Sequence, residues 1–69
     1  MPDLEACLVR PLRWRATGDA LMPYAAAVAG SEWRLRVNDF PAEPFYTLLI
    51  DGREAGDFDD WPEAWQRPG

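Results

Sequence analysis

In "SEWRLRVND" the apolar Trp33, Leu35 and Val37 alternate with the polar Glu32, Arg34, Arg36 and Asn38. A period of two sends the two sets to opposite faces of an extended chain, so this stretch predicts a half-buried β-strand. "FYTLLID" is apolar on both faces, with Phe45, Thr47 and Leu49 on one and Tyr46, Leu48 and Ile50 on the other. Its β-branched and aromatic content marks it as the central strand of a sheet. Asp51-Gly52 follows at once and suits a tight type I′ hairpin. "REAGDF" then returns as a short, weaker strand.

Upstream, "PYAAAVAGSEW" admits two readings. Pro23 in a first helical turn, a run of alanines and Gly30 as a stop describe a short helix. Tyr24, Ala26 and Val28 also form one face of a strand, with Gly30-Ser31 as a two-residue turn into Trp33. The strand is preferred, because a hairpin turn fits the alternating run that follows. In "CLVRPLRWRA", Leu12 and Trp14 lie opposite Arg13 and Arg15, and Pro11 demotes the segment to an edge strand or an extended arm.

The C-terminal "GDFDDWPEAW" has an aspartate, Asp60, followed three positions later by Glu63, in the manner of a capping box. Pro62 suits a first helical turn, Asp59 and Asp60 suit the positive end of a helix dipole, and Trp61 and Trp65 share a helical face. The expected whole is a single small domain over residues 1–69. Its fold class is α+β: an antiparallel β-meander of three to five strands with a short C-terminal helix on one face.

The same aspartates raise a second reading, an ion- or small-ligand-binding site in which Asp57, Asp59 and Asp60 hold calcium or magnesium with Asp51 or Glu54. An EF-hand loop counted from Asp57 would need an oxygen ligand at Trp61, a glycine at Pro62 and a glutamate at Pro68. All three fail, so the helix-start reading is preferred and no cofactor is expected.

Composition narrows the chemistry. A chain of 69 residues buries only about 60% of its unfolded surface, so its four tryptophans, three phenylalanines and two tyrosines have to supply the core. There is no histidine, the one serine, Ser31, falls in an expected turn, and the one cysteine, Cys7, has no base to activate it. No glycine-rich phosphate loop is present. The expectation is a protein that is not an enzyme. The acidic first ten residues are unlike a signal peptide, and no apolar run has the length of a membrane span, which points to a cytoplasmic protein.

Charge is unevenly spread. Residues 1–36 carry a balance of +1 and residues 37–69 a balance of −6, for a net −5, and every positive charge is arginine. A net acidic chain disfavours nucleic acid. If both arginine-bearing segments are strands of one sheet, Arg13, Arg15, Arg34 and Arg36 line its outer face, but the alternation points Trp14 and Trp33 the other way and removes a base-stacking platform. Arg34 and Arg36 remain candidates for docking an acidic partner. In "NDFPAEP", Pro41 and Pro44 stiffen a turn begun by Asn38 and Asp39, and Phe40-Pro41 admits a cis bond. Such a loop would present Asp39, Phe40 and Glu43 to a partner.

Residues 35–65, "LRVNDFPAEPFYTLLIDGREAGDFDDWPEAW", carry N-D-F-P, E-P-x-Y-T-L, I-D-G and D-F-D-D-W-P-x-x-W elements. The combination resembles a set of short, uncharacterised bacterial proteins. The resemblance implies a bacterial, cytoplasmic protein of compact, mostly β fold, and it carries no activity or functional residues with it. The expected function is a small protein-interaction module or homodimer, whose partner is an unknown protein or a second copy.

Overall fold

The structure is a computed structural model, and it describes residues 3–68. Helix α1 spans Leu4–Leu8. Seven strands follow: β1 (Leu12–Arg13), β2 (Arg15–Ala16), β3 (Tyr24–Val28), β4 (Ser31–Val37), β5 (Tyr46–Ile50), β6 (Arg53–Phe58) and β7 (Trp65–Gln66). Strands β2 to β6 form one five-stranded antiparallel sheet in sequence order, and β1 pairs with β7 in parallel as a separate two-stranded ribbon.

The alternation of β4 is realised as expected: Trp33 and Leu35 are buried, and Glu32 and Arg34 are exposed. Strand β5 is buried along its whole length, as its two apolar faces require, and it lies between β4 and β6. Residues 24–28 are a strand, not a helix. The turn after it is Ala29-Gly30, one residue earlier than expected, because Val28 pairs with Ser31. Ala29 and Gly30 have φ of 50° and 85°, and Asp51 and Gly52 have 50° and 83°. Both hairpins therefore turn on two successive residues of positive φ, the type I′ pattern that matches strand twist. Strand β6 carries one extra residue, Ala55, since Leu48 pairs with Gly56 and Leu49 with Glu54.

The α+β class with a C-terminal helix is overturned. Among the described residues the only α-helix is α1, at the other end of the chain. From Trp61 to Arg67 there are too few residues for a helix to hold itself in water. The segment closes one turn, with the Trp65 N–H donating to the Pro62 carbonyl at 3.1 Å, and then runs extended. There it gains pairing a helix would forgo: the Leu12 N–H donates to the Ala64 carbonyl at 3.2 Å and the Trp14 N–H to the Gln66 carbonyl at 3.0 Å. Asp60 caps nothing. The start of "CLVRPLRWRA" is also corrected, since Cys7 and Leu8 are helical. Leu4, Cys7 and Leu8 sit at i, i+3 and i+4, one helical face, and Pro11 keeps the helix from continuing.

That helix and the β1–β7 ribbon form a second layer over one face of the sheet. Between the layers lie Cys7, Trp14, Ala26, Val28, Trp33, Leu35, Leu48, Ile50 and Trp65. Leu4 rests on Gly56, where an added Cβ would come within 2.6 Å of a Leu4 methyl. Trp65 joins the parts: its ring lies 5.0 Å from Trp14, 5.3 Å from Phe58 and 5.8 Å from Trp61, and its indole N–H donates to the Cys7 carbonyl at 3.1 Å.

Trp65→Ala is expected to cost about 3–5 kcal/mol of stability, measured by urea unfolding, because it empties the space between the layers. Burial, and next the Asp3 carboxylate, push the Cys7 thiol above its ordinary 9.0, with Arg10 opposing. The unfolded thiol ionises first, so this contribution to stability is intact below 9.0 and is lost as pH rises past it. Between about pH 8 and about pH 10 the native chain should lose more stability than Cys7→Ala does.

Candidate functional site

The expected partner-binding residues fall into two groups on different parts of the sheet. Asp39, Phe40 and Glu43 lie on the loop between β4 and β5, and Arg34 and Arg36 stand on the sheet face turned away from the core.

The β4–β5 loop is built outward from Asn38. Its backbone N–H donates to the Phe45 carbonyl at 2.9 Å. Its side-chain amide donates to the Pro44 carbonyl at 2.9 Å and to the Thr47 hydroxyl at 2.7 Å. Inside the loop the Glu43 N–H donates to the Asp39 carbonyl at 2.9 Å, and the Glu43 carboxylate accepts the Asp39 N–H at 3.3 Å. The Phe40-Pro41 peptide is cis. On the far side the Asp59 carboxylate accepts the Phe45 N–H at 2.9 Å, which ties the loop to the end of β6.

What this frame holds out is aromatic. Phe40 is 54% exposed and Phe45 is 36% exposed, with ring centroids 5.3 Å apart. Phe45 lies 4.6 Å from Tyr46, which in turn meets Phe58 at 5.3 Å and Trp61 at 5.9 Å. Trp61 is half-buried, its indole N–H donates to the Trp65 carbonyl at 2.9 Å, and Tyr24 meets it edge-on at 5.3 Å. The Arg67 guanidinium sits over the Trp61 ring, 4.5 Å from its centroid. A continuous chain of rings thus runs from solvent at Phe40 to the core.

The arginines of β4 do different work. Arg34 pairs with Glu32 at 2.7 Å, and both side chains are about half exposed. Across the sheet Arg34 stands in a row with Arg15, Ala25, Leu49 and Glu54, while Arg36 stands beside Thr47 and Asp57. Arg36 donates to Asn38 at 3.1 Å and to the Thr47 hydroxyl at 3.3 Å, and lies 3.5 Å from Glu54. Arg13 is apart from this face, donating to Gln66 at 3.2 Å. Beside Arg34 an open depression of about 530 Å³ is lined by Met22, Glu32, Leu49, Asp51 and Gly52.

The three aspartates considered as metal ligands are held in different ways. Asp57 accepts the Thr47 hydroxyl at 2.7 Å, Asp59 accepts the Phe45 N–H, and Asp60 is exposed. Among the described residues no group of three or more acidic or cysteine side chains converges in a form suited to a metal ion.

Thr47, Phe45 and Trp61 belong to this region, and residue patterns did not single them out. The signal for Thr47 was present, as the one polar residue in an otherwise apolar strand. It is 1% exposed, so its hydroxyl had to be bonded inside, and it is: it donates to Asp57 and accepts from Asn38 and Arg36. No family model, curated protein or solved structure matches the chain.

Asn38→Ala is expected to destabilise by about 1–3 kcal/mol, because it leaves the buried Thr47 hydroxyl and the Pro44 carbonyl short of a donor. Asp60→Ala should change stability by less than about 0.5 kcal/mol, where a helix cap would have cost about 0.5–2 kcal/mol. Paired urea titrations of the two variants separate these expectations.

Proposed function

We propose that the chain is a small non-enzymatic interaction module that binds a protein partner through the aromatic surface of the β4–β5 loop. It is taken to be bacterial and cytoplasmic, like the proteins that its 35–65 pattern resembles. The observation that carries this reading is the exposure of Phe40 and Phe45 side by side on a loop whose backbone is already held by hydrogen bonds. The fold leaves two adjacent phenylalanines partly in water, and adjacent exposed rings on a rigid frame mark a contact surface. The frame lowers the ordering cost of binding, since the loop need not be fixed when the partner arrives.

The test is affinity capture from the protein's own cells with the native chain and with a Phe40→Ser/Phe45→Ser variant. A partner retained by the native chain and lost with the variant, at unchanged thermal stability, supports the reading. Identical capture by the two chains overturns it. In the homodimer form the partner is a second copy, and light scattering behind a sizing column at micromolar concentration would show twice the chain mass for the native protein alone.

A further inference from the structure

The aromatic surface is set in acid. Asp39 and Glu43 flank Phe40 on the loop, Asp59 holds the Phe45 backbone, and Asp60 precedes Trp61. Among the described residues the ion pairs are Arg34–Glu32 and Arg36–Glu54, so none of these four carboxylates is ion-paired. Residues 37–69 carry −6 overall, and Arg36 is bonded to Asn38 at the base of the loop. Trp61 in this surface already receives a guanidinium on its ring face, that of Arg67, at 4.5 Å.

From these observations we infer that the Phe40–Phe45–Trp61 surface receives an arginine-bearing basic peptide segment of the partner. The inference rests on the interaction-module reading and adds the chemistry of the occupant. Aromatic faces favour a planar, weakly hydrated guanidinium over an ammonium, because stacking and cation–π attraction act together on it. Carboxylates at the rim steer a basic segment in and repel an acidic one. Arg67 shows the contact in intramolecular form: a guanidinium lying on indole. Phosphate-bearing partners meet the wrong sign of charge here.

Three blocked octapeptides serve as probes, alternating alanine with arginine, with lysine or with glutamate, titrated into the full ¹⁵N-labelled chain. The arginine peptide should move the amides of residues 39–45 and 59–61 and the Trp61 indole N–H, and bind about threefold or more tighter than the lysine peptide. Its affinity should fall about tenfold from low to high salt, and the glutamate peptide should leave the spectrum unchanged. Phe40→Ser/Phe45→Ser should weaken the arginine peptide about tenfold or more while keeping the native dispersion of the spectrum. Equal response to the three peptides, a response centred on Arg34 and Glu32, or self-association consuming the same amides would overturn the assignment. The two readings fail separately. A captured partner that depends on Phe40 and Phe45 but binds independently of salt, with no arginine preference, would leave the interaction module standing and remove the basic occupant.

Discussion

The indole of Trp65 is the contact on which the two layers depend. Its backbone pairs with Leu12, its ring lies against Trp14, Phe58 and Trp61, and its N–H donates to the Cys7 carbonyl in α1. Helix, ribbon and sheet therefore share one side chain. In so short a chain no element buries enough apolar area to stand alone, and a five-residue helix has no stability in water by itself. α1 exists because Leu4, Cys7 and Leu8 have this surface to cover. Residues near the two ends of the chain are brought together by the same contact, as Leu12 and Arg13 run parallel to Trp65 and Gln66.

A second constraint governs the other face. Thr47 places a hydroxyl in the buried middle of the sheet, and its three partners come from three segments: Arg36 from β4, Asn38 from the loop and Asp57 from β6. A buried hydroxyl is costly when unpaired, so native packing selects the arrangement that brings all three within reach. Arg36 is held flat over the sheet instead of extending into solvent, and the loop leaves β4 in one direction. The position of Phe40 follows from a polar network several residues away, not from contacts of its own ring with the core.

These two constraints also explain what was legible in the residues. Local rules fixed β4, β5, β6 and the Asp51-Gly52 hairpin, since alternation, β-branching and a dipeptide that tolerates positive φ all act within a few residues. The C-terminal segment misled because its local signals, an acid three places before a glutamate and a proline in the first turn, are those of a helix start. They were outweighed by pairing with Leu12 and Arg13, more than fifty residues earlier, and by the demand of Trp65 for the core. The same long-range demand created α1 from a stretch with few helical cues. At the candidate surface, Phe40, Asp39 and Glu43 could be read from the prolines around them. Phe45 and Trp61 could not, because their roles arise from neighbours contributed by other segments.

Stability and exposure divide cleanly at the β4–β5 loop. If the rings of Phe40 and Phe45 held the loop in place, their exposure would be an incidental result of folding. The hydrogen bonds of Asn38, Glu43 and Asp59 already define the backbone there, and the fold forgoes the part of the about 1.5–3 kcal/mol of full phenylalanine burial that corresponds to the exposed 54% of Phe40 and 36% of Phe45. Phe40 keeps more than half its surface in water despite its neighbour Phe45. Scattered exposed apolar residues need no explanation, but two adjacent rings on an internally braced loop, continuous through Tyr46 with the core, are a different case. The fold holds them at the surface by polar means, and that separation leaves their apolar faces available to a partner.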